Sequence, residues 1–163
     1  MIKTEIFSNK FFSLTVCWEK GLIVQTKLNP PCPTQISYFH PYSKLIEQNL
    51  IAYAQKKTVA WPSPPLATSR LSTFAQEVLQ TLSKKVPFGQ TITYGELAHL
   101  VGKPKAARAI GQVMKKNPFP LIIPCHRVVK TTGIGKFSPH PQLKSILLQL
   151  EGMHFINLNN KNR

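Results

Sequence analysis

The order of apolar and polar positions divides the chain into a strand-like first third and a helix-like remainder. Residues 2–7 alternate in polarity, and Phe12, Leu14, Val16 and Trp18 share one face of an extended segment. After Glu19-Lys20-Gly21, a further strand-like run reaches from Leu22 to Leu28. The pattern predicts three short strands, each with a face to bury. Asn29 to Pro33 is a proline-rich break, after which Ile46, Leu50, Tyr53 and Ala54 recur at helical spacing. Trp61-Pro62-Ser63-Pro64-Pro65 reads as a connector, because clustered prolines keep a chain extended and stiff.

Beyond the connector the period becomes helical. Thr73-Phe74-Ala75-Gln76 reads as a capping box, followed by an apolar stripe of Phe74, Val78, Leu79 and Leu82, with Pro87 and Gly89 closing the helix. Thr93-Tyr94-Gly95-Glu96 is a second capping box; Leu97, Leu100 and Val101 follow, and Gly102 ends that helix. Pro104 suits the first turn of a third helix whose Ala106, Ile110, Val113 and Met114 point inward, ended by Asn117-Pro118. Two short helices joined by a tight glycine-containing turn form a helix-turn-helix arrangement. Leu121-Ile122-Ile123 reads as a short buried strand, and a last helix runs from Gln142 to Leu150, with Leu143, Ile146, Leu147 and Leu150 as its stripe and Gly152 as its stop. The division that results is an α/β unit over residues 1–60 (a small antiparallel sheet plus a helix), a connector over 61–67, a mostly helical unit over 68–155 and a polar tail over 156–163.

Charge adds a partner to this picture. The 163 residues carry a net charge of +15. Residues 1–67 hold seven bases against three acids, and residues 68–163 hold fourteen against three, so the surplus lies mostly in the helical part. Such a surplus suits a polyanion, because neutralised phosphates release their counterions. In the third helical segment Lys105, Arg108, Gln112 and Lys115 recur at steps of three, four and three, which places them on one face. Ala106, Ala107, Ala109 and Gly111 alternate with them, so the backbone can approach another surface closely. No apolar run nears the ~18 residues that cross a bilayer, and the first dozen residues carry no secretory pattern, so an intracellular protein is expected.

The titratable inventory narrows the chemistry. All six acids are glutamates, which excludes a Ser-His-Asp triad and a kinase-type metal site. Cys17, Cys32 and Cys125 are far apart with no Cys-x-x-Cys, so a zinc ribbon or redox pair has little support. Cys17 and Cys32 read as a strand and a loop residue. Cys125 differs because His126 and Arg127 follow it, and a positive surrounding favours the thiolate that attacks carbon. Adjacent side chains of an extended segment point apart, so His126 reaches the thiol only through a turn or a bridging water. Glu151, at a helix C-terminus, opposes the macrodipole; it is either a solvated acid or the carboxylate that orients a histidine.

Taken together, these residues resemble a known family. Ile123-Pro124-Cys125-His126-Arg127-Val128-Val129 is similar to the active-site signature of O6-alkylguanine-DNA alkyltransferases. Pro87-Phe88-Gly89, Thr93 to Ala98, Ala107 to Gly111, Asn117-Pro118, Gly133 and Leu150-Glu151-Gly152 fall in the family's order and approximate spacing, over roughly residues 60–152. The resemblance implies a winged helix-turn-helix C-terminal domain that binds double-stranded DNA in the minor groove as a monomer. It implies irreversible, single-turnover transfer of an alkyl group from O6 of guanine to Cys125, with O4 of thymine left open, and no metal or organic cofactor. Cys125 would be the acceptor, activated through water by His126, which Glu151 orients; Asn117 would brace the turn. Arg108 would enter the base stack, Tyr94 would help rotate the nucleotide and offer its hydroxyl to the leaving base. The backbone of Cys125 and Val128 would meet the guanine edge, and Ser138 would lie near O6. Lys105, Ala107, Ala109, Gln112 and Lys115 would face the DNA. A cytoplasmic location follows, on the nucleoid in a bacterium or in the nucleus of a eukaryote. One departure stands out: Ser138-Pro139-His140 occupies the place of Ser-Gly-Gly, and proline stiffens the loop bordering the alkyl group.

Two other readings use the same residues. A helix-turn-helix binder without chemistry would explain the charge and leave Cys125 and Glu151 incidental. A thiol hydrolase would use Cys125 and His126 over many turnovers, although their one-residue spacing disfavours direct contact.

Overall fold

The computed structural model describes residues 1–138 and 140–154. Pro139 and the polar tail at 156–163 lie outside the described residues. β1 (Lys3–Ser8), β2 (Ser13–Glu19) and β3 (Leu22–Asn29) form an antiparallel sheet in the order β1-β2-β3. Lys20 and Gly21 both take positive φ (50° and 76°), the conformation a two-residue hairpin loop requires, and so set Glu19 opposite Leu22. Phe12, Leu14, Val16 and Trp18 are buried together, as their alternation predicts.

α1 (Tyr42–Ala54) packs on this sheet through Ile46, Leu50 and Tyr53. Glu5, fully buried in β1, fastens the intervening loop by accepting hydrogen bonds from Trp18, Ser43 and the amides of Ser37 and Phe39. The proline-rich stretch is itself hydrogen-bonded to the sheet: the Ile23 amide donates to Pro65 O at 2.7 Å and the Ala67 amide to Ile23 O at 2.9 Å. Further along β3, the Thr26 amide donates to Pro118 O and its hydroxyl to Pro120 O, each at 2.8 Å. The N-terminal sheet thereby holds the chain just ahead of Cys125. One apolar core, from Phe7 to Leu150, draws on both sides of the connector.

The second half is α2 (Thr73–Lys85), β4 (Ile92–Thr93), α3 (Tyr94–Leu100), α4 (Ala107–Lys115), β5 (Val128–Val129) and α5 (Pro141–Leu150). The two short strands pair in parallel, Ile92 with Val128 and Thr93 with Val129. That pairing brings the start of α3 beside the segment that follows Cys125. Among the described residues no helix is long and apolar enough to cross a membrane.

Four local expectations are corrected. The N-cap of α2 is Ser72, whose hydroxyl accepts from the Ala75 amide, while Gln76 donates to Leu71 O; Thr73 already lies inside the helix and there is no capping box. The box at Thr93–Glu96 is present as read. Leu100 is 51% exposed, because α3 is only seven residues long and Leu97 and Ala98 fill its buried side. Pro104 and Lys105 precede α4 in a turn closed by the Ala106 amide on Lys103 O. Leu121-Ile122-Ile123 is buried but forms a turn: Leu121 has φ 74° and the Ile123 amide donates to Phe119 O. Positive φ on a branched residue costs about 1–3 kcal/mol and persists only where the surroundings over-determine it.

Candidate active site

The turn before Cys125 is shaped by Asn117. Its Oδ1 accepts from the Phe119 amide at 2.9 Å and its Nδ2 donates to Ile123 O at 3.0 Å, pinning both ends of the turn that contains Leu121. Pro124 then leads into a single 3-10 turn, Cys125–Arg127, rather than an extended segment. Cys125 is 6% exposed and borders a cavity of about 380 Å³ lined also by Tyr94, Gly111, Met114, Lys115, Asn117, Pro120, Lys136, Phe137, Ser138 and Lys144.

The two cations expected to polarise the thiol do something else. Arg127 turns to Glu151, with Nε on Oε2 and Nη2 on Oε1 at 2.9 Å each, and Nη1 donates to Val86 O. His126 is fully buried; Nε2 lies 2.8 Å from Glu151 Oε1, and Nδ1 has no protein partner. Burial pushes its pKa down despite the carboxylate, so the ring is neutral, with its proton on Nε2 and a free lone pair on Nδ1. Glu151 is buried at the end of α5, so the solvated-acid alternative is set aside. Burial would raise its carboxyl, but the hydrogen bond from His126 and the hydrogen bonds and charge of Arg127 outweigh it and bring the pKa down to about 2. Tyr53 of α1 also donates to Oε1, at 2.8 Å.

The buried cation that shares the cavity with the thiol is Lys144. Its side chain is buried on α5, Nζ donates to Val128 O at 2.7 Å, and among the described residues it makes no ion pair. Burial brings it down to about 8, with the Cys125 charge opposing that fall. Burial also pushes the Cys125 thiol up, against the Asn117 hydrogen bond, the Lys144 charge and two backbone amides. A resting thiol with a nearby ammonium is ready to ionise once a base takes its proton. Tyr94, half-buried at the first position of α3, has its hydroxyl raised by burial and by the Cys125 charge, and stays a proton donor.

The other residues singled out in the sequence divide by place. Lys105, Arg108, Gln112 and Lys115 are all exposed on the outer side of the α4 segment, beside half-buried Ala107 and exposed Ala109. Gly111 and Lys115 join that face to the cavity, which Ser138 also lines. Val128 is fully buried, its carbonyl accepting from Lys144. Pro139 lies outside the described residues. Sequence reasoning missed Tyr53, the pairing of Arg127, and Lys144; a lysine beside Leu143, in the stripe of the last helix, was the signal for the third.

A buried cysteine on a braced turn, next to a neutral histidine held by a carboxylate and in a cavity that a basic helix of small residues also lines, is an arrangement suited to thiol chemistry beside an anionic surface. Comparison with known proteins is specific. The family described as "6-O-methylguanine DNA methyltransferase, DNA binding domain" matches residues 73–153. The methylated-DNA--protein-cysteine methyltransferase of Thermococcus barophilus is 46% identical over 80 residues, covering 49% of this chain and 45% of that protein. The human protein of the same name is 50% identical over 80 residues, covering 48% and 39%. The crystal structure of the Mycobacterium tuberculosis O6-methylguanine methyltransferase matches with TM-score 0.73 and 26% identity, over 93% of each chain. The aligned stretch thus spans less than half the length of those curated relatives. Residues 73–153 of the chain belong to the O6-methylguanine-DNA methyltransferase family.

Proposed function

We propose that this protein repairs O6-alkylguanine in DNA by irreversible transfer of the alkyl group to Cys125 Sγ. The observation that carries the reading is the placement of Cys125 on the wall of a cavity that Tyr94 also lines, next in sequence to the His126–Glu151 pair and beside Gly111 and Lys115 of the basic helix α4. A relative, the Mycobacterium tuberculosis protein named above, has been crystallised in complex with DNA. In this reading α3 and α4 act as a winged helix-turn-helix, the second helix enters the minor groove, and Ala107, Ala109 and Gly111 allow close approach. Arg108 fills the stack from which the damaged nucleotide is turned out, a step costing a few kcal/mol. Residues 1–60 form the supporting α/β domain, 61–67 the connector and 68–155 the domain that binds DNA, one protein molecule per lesion. Where DNA resides in the cell, the protein resides too.

The chemistry balances without a cofactor. Through a bridging water, the thiol proton passes to His126 Nδ1. The Sγ lone pair forms the S–C bond as the C–O6 bond breaks, and the bonding pair moves into the guanine ring. Tyr94 donates a proton to the ring, leaving unmodified guanine. The thioether is not hydrolysed, so each molecule acts once. Ser138 and the backbone of Cys125 and Val128 meet the guanine; Lys105, Gln112 and Lys115 meet the phosphates.

Intact mass after mixing with a duplex containing O6-methylguanine tests this. The expected result is one added methyl per protein, on the Cys125 peptide, and none for Cys125→Ala. Methyl removal by that variant, or duplex binding with no transfer by the wild type, rejects the proposal; repeated turnover on an ester would favour a hydrolase.

A further inference from the structure

Tyr53 is separated from Glu151 by 98 positions and comes from the N-terminal half, yet its hydroxyl donates to Glu151 Oε1 at 2.8 Å. The ring is fully buried, edge-on to Phe12 at 5.7 Å and tilted against Phe88 at 5.6 Å, so it has little freedom to turn elsewhere. Oε1 carries three contacts: Tyr53, Arg127 Nη2 at 2.9 Å and His126 Nε2 at 2.8 Å. Oε2 receives Arg127 Nε alone. An oxygen whose lone pairs are shared among three donors pulls less on any one of them.

We infer that Tyr53 is a positioning residue of the alkyl-transfer site, holding Glu151 so that His126 keeps its proton on Nε2 and its Nδ1 free as the base. This rests on the function proposed above for the reaction served. The charged and titratable groups around the pair are Tyr53 from α1, Cys125 and Arg127 from the 3-10 turn, and Lys144 from α5. Lys144 and Arg127 disfavour a second proton on His126, and the carboxylate favours one. By satisfying part of Oε1, Tyr53 weakens the carboxylate's share. Burial, with Glu151 adding to it, raises the Tyr53 hydroxyl well above its ordinary range, so the donor persists over the working pH. The N-terminal half would then do more than support the fold: it would set the protonation of the base.

The test uses the full chain with ring-nitrogen-labelled histidine. Tyr53→Phe should raise the pH midpoint of His126, read by NMR, by about half a unit, since one competing donor to the carboxylate is gone. Transfer of methyl from an O6-methylguanine duplex, followed between about pH 5 and pH 8, should lose rate on its acid side at a pH higher by about the same half unit than in the wild type, with duplex affinity unchanged. Site-specific 3-fluorotyrosine at position 53, a stronger donor of the same shape, should move the midpoint down, and it carries the test should Tyr53→Phe not fold. An unmoved midpoint in the folded variants, or a moved midpoint with an unmoved pH profile of transfer, overturns the inference. A wild-type chain that takes no methyl, while Tyr53→Phe still shifts His126, refutes the alkyl-transfer reading instead.

Discussion

Arg127 points away from the thiol two residues before it and closes a two-bond pair with Glu151, Nε on Oε2 and Nη2 on Oε1, both at 2.9 Å. The carboxylate that orients His126 is therefore already neutralised by a fixed cation. It still draws on His126 by hydrogen bond and by charge, and the pair is buried, where losing one partner is expensive.

Glu151→Gln should destabilise the protein by about 3–5 kcal/mol near neutral pH, because it leaves the Arg127 guanidinium buried without its counter-charge. Urea denaturation measures this. The sign with pH follows from a folded pKa near 2 against an ordinary 4.5. The carboxylate's contribution is complete above 4.5 and is lost as pH falls toward 2, so the gap between wild type and variant should close over that interval. His126 adds an earlier loss. Its pKa is held below 6.5 in the fold, so wild-type stability should begin to fall as pH drops through 6.5, where the unfolded chain gains a proton the folded chain refuses. A gap that stays constant down to pH 2 would contradict the buried pair.

Lys144→Met should separate reactivity from stability. Without the ammonium, reaction of Cys125 with iodoacetamide near neutral pH should slow by about ten-fold, corresponding to a thiol raised by about one unit. Stability should move the other way as pH rises. Folded Lys144 releases its proton near 8, against 10.5 when exposed, so wild-type stability gains between those values and the variant lacks that gain. Thiol reactivity equal to wild type would show that Lys144 does not act on Cys125.

Gly111→Ala tests the small-residue face of α4. A methyl built there meets nothing within 4 Å in the free protein. The substitution should therefore stabilise the helix by about 0.5–1 kcal/mol, read as a higher thermal midpoint. Duplex binding and methyl transfer should nevertheless weaken, since the added methyl lies on the face proposed to approach DNA. Unchanged affinity would place the DNA elsewhere.

Asn117→Ala removes the two hydrogen bonds that pin the turn ahead of Cys125. Leaving Ile123 O without its partner should cost about 1–3 kcal/mol. The iodoacetamide rate should fall as well, because the Asn117 amide works against the rise of the Cys125 thiol that burial causes. A stability loss with full thiol reactivity would limit Asn117 to holding the turn.

Local regularities were legible in the sequence where one interaction repeats along the chain. The strands followed from alternation, the helices from 3.6-residue spacing, and the cap of α3 from Thr93 and Glu96 alone. Errors arose where a neighbour competes at the same spacing, as when Ser72 rather than Thr73 capped α2, or where apolar content is shared by strand and turn, as at Leu121. Cys125 as a candidate reactive thiol and the basic face around Arg108 were likewise open to reading, since residue type and short spacing carry them, whereas the brace at Asn117 came with the family resemblance. Only the tertiary structure decided which groups surround His126. Tyr53, Arg127 and Glu151 meet through a core closed by the whole chain, and Lys144 becomes a buried cation only because α5 packs it beneath Val128. Burial decides those protonation states, and burial depends on distant segments meeting, which no local pattern records.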